Sequence, residues 1–221
     1  MLDKKWILKP EPSIEDINNL KASLDIHTSL CSLLVQRGIK TFDEAKRFFR
    51  PDKNLIHDPF LMKGMVEAVD RIGKAFENGE RIMIYGDYDV DGTTSVAMVY
   101  SFFLNLYDNL VYYIPDRYEE GYGVSFKSIN HAKEEGITLI IALDCGIKAV
   151  KKIEYAKEKG IDYIICDHHL PGDTVPNGII LNPKQTACNY PFKELSGAGV
   201  GFKLLQGFCK KNNILLPLLK H

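Results

Sequence analysis

Neither sign of charge prevails in this sequence: 28 Lys and Arg stand against 29 Asp and Glu, a formal net charge of −1. A protein that binds polyanions over its whole surface carries a marked basic excess. Any nucleic acid would have to be held in a local groove or through bound cations. Cysteine pairing is missing too. Cys31, Cys145, Cys166, Cys188 and Cys209 are odd in number and show no Cys-x-x-Cys spacing, which argues against a disulfide framework and predicts buried free thiols in a reducing compartment. No apolar run is long enough to span a bilayer, and Met-Leu-Asp-Lys-Lys-Trp is no signal peptide, so a cytoplasmic location and no membrane partner are expected. No Ser or Cys nucleophile stands in an evident pairing with a base. Cys145 follows Asp144, whose charge disfavours a thiolate, and is expected to be a small buried filler. A polar tail is also lacking. The chain runs apolar from Ile214 through Leu219; such an ending either docks or marks an early stop, and a truncated protein is expected.

What is present is a 45% hydrophobic chain of 221 residues, enough for one sizeable core with a smaller appendage. Residues 13–49 read as short amphipathic helices, one closed by Gly38. Another is opened by Thr41 as N-cap, with Asp43 and Glu44 in its first turn, and stopped by Pro51. The expected organisation is a helical N-terminal region over 1–62 and an α/β domain over 63–221. From Leu61 the pattern alternates: a helix through Met65, Val69, Ile72 and Phe76, then strands at 82–85, 110–114, 138–143 and 162–166 separated by helices at 94–107, 125–135 and 147–159. Strands that are apolar throughout, separated by helix-length segments, predict a Rossmann-like, mostly parallel sheet covered on both faces.

Ligands of such sheets bind at the carboxyl ends of the strands, and the conspicuous residues fall there. Asp87, Asp89 and Asp91 follow the first strand at every second position, so an extended segment would aim all three carboxylates one way. Their mutual repulsion requires either solvent or a cation between them. Asp-Gly is also a turn signal and Asp a good N-cap; three in register with further clusters downstream favour metal. Asp144 ends the third strand, where it is either a ligand or the cap of the next helix. Asp167-His168-His169 ends the fourth, and adjacent residues of an extended chain point opposite ways. The natural division puts one imidazole on metal and the other on substrate, with Asp167 as a ligand or as the partner fixing a tautomer. Oxygen ligands with one imidazole suit Mg²⁺ or Mn²⁺ better than Zn²⁺, and so many carboxylates suit two ions. Such a site belongs to phosphoester hydrolysis. Arg117 in the Pro115–Gly123 loop can bind phosphate while Tyr118 and Tyr122 stack on bases, or the loop is ordinary solvated chain. The turn at Ser196, Gly197 and Gly199 offers N–H groups to a phosphate, although tight helix packing explains it nearly as well.

Taken together, Gly86-Asp87-Tyr88-Asp89-Val90-Asp91-Gly92, the Pro115–Gly123 loop, Asp144-Cys145-Gly146, Asp167-His168-His169, Asn182-Pro183-Lys184 and the Ser196–Lys203 segment resemble the DHH phosphoesterase superfamily. Within it, the aspartate-rich first motif and the helical lead-in resemble the RecJ-type single-stranded-DNA exonucleases. That resemblance implies a 5′-to-3′ exonuclease in recombination and repair, using Mn²⁺ or Mg²⁺. It implies metal contacts from Asp87, Asp89, Asp91, Asp144 and His168, a contact of His169 with the scissile phosphate, and a structural role for Asp167. Single-stranded DNA and the C-terminal domains of the longer protein are the implied partners, and a monomer is expected. Tyr85 stands where other branches carry a metal-binding His, so Asp87 is expected to substitute. The family's last metal aspartate lies beyond this chain's end, and with it full activity. The competing expectations are an oligonucleotide or cyclic-dinucleotide phosphodiesterase of the same superfamily, and a non-catalytic scaffold in a replication or repair assembly.

Overall fold

Five apolar runs, Arg81–Gly86 (β1), Leu110–Tyr113 (β2), Ile137–Leu143 (β3), Asp162–Cys166 (β4) and Ile179–Leu181 (β5), pair side by side in a parallel sheet of order β2-β1-β3-β4-β5. The structure is a computed structural model and describes residues 5–216; Pro217 to His221, the end of the apolar tail, lie outside the described residues. In register, Ile84 faces Tyr112 on one side and Ile141 on the other, and Ala142 faces Ile165.

Alternate residues feed the two faces. Ile82, Ile84, Leu139, Ile141, Ile164 and Leu181 pack with helices Met65–Glu77 (α4), Val90–Leu104 (α5) and Gly197–Lys211 (α8). Met83, Tyr85, Ile140, Ala142, Tyr163 and Ile165 pack with Phe126–Glu134 (α6) and Val150–Glu158 (α7). A strand buried on both faces has no polar side to show, hence the unbroken apolar runs. α4 buries Met65, Ala68, Val69, Ile72 and Ala75, the i, i+3, i+4, i+7 stripe of a core-facing helix. Truncating a wholly buried Ile72 or Ile84 to Ala should cost roughly 2–5 kcal/mol. Because β1 is flanked by β2 on one side and β3 on the other, the strand order reverses between β1 and β3. A crevice therefore opens at their carboxyl ends.

The chain divides into two units, Met1–Ile56 and His57–His221. The second unit starts earlier than residue 63 because the short 3₁₀ turn Pro59–Leu61 belongs to its core: Met62 is buried there, Asp58 pairs with Lys210 at 2.7 Å, and Lys203 donates to the His57 carbonyl at 2.7 Å. The first unit consists of Ile14–Leu24 (α1), Thr28–Val35 (α2) and Phe42–Phe49 (α3) around Leu20, Cys31, Leu34 and Val35. α3 opens with the expected capping box, in which Thr41 Oγ1 accepts from the Glu44 N–H and Glu44 accepts from the Thr41 N–H. All five cysteines are free and buried.

Candidate active site

The three aspartates after β1 do not lie along one extended segment, and here the sequence-based picture is corrected. β1 ends at Gly86, Asp89 is the N-cap of α5, and Asp91 is already in the helix's first turn. The chain must turn from strand to helix within three residues, and Gly92 permits it. A Cβ there would sit 2.4 Å from the Asp87 carbonyl oxygen. The carboxylates thus leave a strand end, a cap and a first turn rather than alternate positions of a strand. Capping and site roles coexist: Asp89 Oδ1 accepts from the Gly92 N–H at 2.9 Å, which leaves its other oxygen uncommitted by that bond.

Asp87 is wholly buried. Its Oδ1 accepts from the Gly123 N–H at 3.3 Å, while Oδ2 has no hydrogen-bond partner. Burial, and then the charge of Asp89, hold its carboxyl above the ordinary range. Asp144 does not cap α7, whose N-cap is Ala149. It sits at the end of β3 with φ +60°, a left-handed conformation that Asp tolerates better than most side chains. Its N–H is anchored on the Cys166 carbonyl at 2.8 Å. Burial, then the charges of Asp91 and Asp89, push its pKa up to about 8. The Nε2 of His168 lies 3.1 Å from Asp144 Oδ1 but out of line for a hydrogen bond, so that buried oxygen too stays unpartnered. The same Nε2 is 3.8 Å from Asp91 Oδ2.

Asp144, His168 and His169 each bring one ligand atom within 4.8 Å of the others. Among the described residues no Lys or Arg pairs with any acid of this rim. Buried carboxylate oxygens with neither proton donor nor counter-charge are costly, and what they lack is a cation. Carboxylate oxygens with imidazole nitrogen fit Mg²⁺ or Mn²⁺ by donor chemistry.

Asp167 is spent on backbone N–H groups and on His169. Its Oδ1 accepts from the backbone N–H of His168 (2.7 Å) and His169 (3.1 Å) and lies 2.7 Å from His169 Nδ1; its Oδ2 accepts from the Ile147 N–H at 2.9 Å. That arrangement puts the proton of His169 on Nδ1 and turns Nε2 outward, where the Tyr122 hydroxyl lies 3.3 Å away. Arg117 is exposed, with its guanidinium 4.9 Å over the Tyr88 ring. Tyr88 in turn stands edge-on to Tyr122.

The Ser196–Gly199 turn does not offer the free N–H groups expected of it. Gly197 N–H and Ala198 N–H donate to the two oxygens of Asp91 at 2.6 and 2.7 Å, and Ser196 Oγ accepts from the Gly199 N–H at 3.1 Å. The anion at the start of α8 is Asp91 itself. Gly197 is required for another reason. A Cβ there would lie 2.3 Å from Asp144 Oδ1, so any side chain would be driven into the site.

Two residues escaped functional assignment in the sequence. Tyr85 is buried and donates to the Gly123 carbonyl at 2.8 Å. Asn182, just past β5, is wholly buried; its amide donates to the His169 carbonyl at 2.9 Å and accepts from the Lys184 N–H at 2.8 Å. An isolated Asn beside a Pro reads as a turn residue, and nothing local signals a partner thirteen residues back.

The family model described as "DHH family, N-terminal domain" matches residues 81–220, which is well over half of the sequence. The chain belongs to the DHH family. More particularly, it is similar to the single-stranded-DNA-specific exonuclease RecJ of Bacillus subtilis, 45% identical over 90% of this chain and 25% of that protein. It is also similar to the Escherichia coli RecJ, 36% identical over 85% of this chain and 34% of that protein. Among solved structures, a RecJ exonuclease bound to manganese superposes with a TM-score of 0.64 at 34% identity, covering 71% of this chain and 40% of that one. RecJ of Thermus thermophilus in complex with Mn²⁺ gives 0.72 at 26% identity, covering 94% and 29%. The chain thus spans about a quarter to a third of these curated relatives' length.

Proposed function

We propose that this chain is the metal-binding catalytic piece of a phosphodiesterase that degrades single-stranded DNA from the 5′ end in recombination and repair. The observation that carries the reading is the set of unpartnered buried oxygens, Asp87 Oδ2 and Asp144 Oδ1, beside Asp89, Asp91 and His168 at the sheet's topological switch. Asp87, Asp89, Asp91, Asp144 and His168 would hold Mn²⁺ or Mg²⁺, most naturally two ions. Bound divalent ions would supply an activated water and offset the charge developing on the phosphoryl oxygens. The protein's own part is to aim: Asp167 orients His169 toward the phosphate, and Arg117 and Tyr88 at the open edge receive phosphate and base. The neutral overall charge fits a fragment whose basic surfaces belong to the remaining domains of a longer, cytoplasmic and monomeric protein. The helical region ahead of the α/β unit, as a separate recruiting or packing module, goes with this reading.

The test is hydrolysis by the full-length protein of 5′-labelled oligonucleotides with Mn²⁺. Release of labelled mononucleotide from single strands but not duplexes is expected. Cleavage confined to dinucleotides would favour an oligonucleotide phosphodiesterase. No turnover at any pH would leave a scaffold.

A further inference from the structure

The hydroxyl of Tyr122 serves an end that base stacking does not explain. Tyr122 lies between Gly121 and Gly123, both left-handed with φ of +75° and +74°, a conformation L side chains rarely adopt. Gly123 is pinned from two sides. Its N–H donates to Asp87 Oδ1 at 3.3 Å, and its carbonyl accepts from the buried Tyr85 hydroxyl at 2.8 Å. The half-exposed Tyr122 ring is thereby delivered edge-on to His169 at 6.1 Å between centroids, with its oxygen 3.3 Å from Nε2. The opposite ring nitrogen is already held by Asp167 at 2.7 Å, and the His169 carbonyl by Asn182 at 2.9 Å. Of the contacts that fix His169, only the one from Tyr122 comes from a segment entering the site across the sheet, after β2.

Resting on the phosphodiesterase reading, we propose that Tyr122 is a positioning residue for His169: its hydroxyl engages Nε2 and holds the ring plane in which that nitrogen is presented to the site, the tautomer being set by Asp167. Tyr85 then acts through the same line, from β1 to Gly123 to Tyr122 to His169. The ring of Tyr122 faces Tyr88, so stacking and hydroxyl functions are separable by substitution: Tyr122→Phe removes only the hydroxyl, whereas Tyr122→Leu removes the ring.

The decisive measurement needs no turnover. Long-range ¹H–¹⁵N correlation on histidine-labelled protein reads the two ring nitrogens of His169, assigned by their loss in His169→Gln. In Tyr122→Phe, Nε2 should move toward the position of a nitrogen with a free lone pair while Nδ1 stays put. In the full-length protein with Mn²⁺, the same variant should lose about tenfold in kcat, the worth of one well-placed hydrogen bond, with KM within about twofold. An Nε2 resonance unmoved in Tyr122→Phe overturns the proposal whatever the activity. So does a wild-type kcat in Tyr122→Phe alongside a raised KM in Tyr122→Leu, which would make the ring a stacking surface only. If the wild-type protein hydrolyses nothing, the phosphodiesterase reading falls, and the ring resonances still decide whether Tyr122 holds His169.

Discussion

The two ends of the sheet handle charge in opposite ways. At the amino end, Arg71 is shared by two carboxylates: its guanidinium donates to Glu80 at 2.7 and 3.2 Å and to Asp162 at 2.8 Å, and Thr138 and Asn78 complete the shell of Glu80. At the carboxyl end, Asp87, Asp89, Asp91 and Asp144 crowd together with imidazoles but, among the described residues, pair with no Lys or Arg, and two buried oxygens are left over. Both regions contain acids near a parallel sheet. Only the second leaves its balance to be completed from outside. Balanced charge is what architecture needs, and unbalanced charge held in place by the fold marks a site.

The largest expected effect breaks the unbalanced end. Asp89→Asn keeps an N-cap for α5 but removes a charge, and His168→Ala removes an imidazole. Either should lower Mn²⁺-dependent hydrolysis by the full-length protein on the order of 10³-fold or more, with an unchanged circular dichroism spectrum. Rates near wild type would take these residues out of the chemistry. Next comes the balanced end. Arg71→Met strands Glu80 and Asp162 and should cost about 1–3 kcal/mol in urea denaturation, discounted for their partial exposure, without altering kcat.

A third expectation uses pH. The carboxyl of Asp144 is raised to about 8 in the fold, so its protonated form is favoured there. Its contribution to stability is full below the unfolded carboxylate range, near 4, and is lost as pH rises toward 8. Without metal, the melting temperature should fall over that window, and Asp144→Asn should flatten the fall. Added Mn²⁺ should stabilise the wild type increasingly as pH rises. A metal-free wild type whose stability does not decline would place Asp144 in a less strained setting. The smallest effect serves as a control outside both ends: Thr41→Ala, which breaks the capping box of α3, should cost about 1 kcal/mol locally and leave metal response untouched.

Much of this was legible in the sequence because burial on two faces forces unbroken apolar strands, and helix-length gaps force parallel connections. β5 was not. Ile179–Leu181 is three residues between Gly178 and Asn182, too short to show a period. Helix α5 starts at Val90 rather than Thr94, because Asp89, read as one of three aligned carboxylates, is also its cap. The acids and histidines of the rim were visible as residue types at strand ends. Their committed bonds were not, because those join residues distant in the chain: Asp91 to Gly197 and Ala198, Tyr122 to His169, Tyr85 to Gly123. For the glycine-rich turn this mattered most, since its N–H groups were already engaged by a side chain more than a hundred residues earlier.

That engagement has a consequence for how descendants of this fold are to be compared. Asp91 tethers the first turn of α8 and stands at the rim at once, so a lineage that abandoned hydrolysis would still be penalised for discarding it. Its survival in a distant homologue therefore testifies to a docked helix, and whether the chemistry is lost or living has to be judged from His168, which neither caps nor tethers a helix.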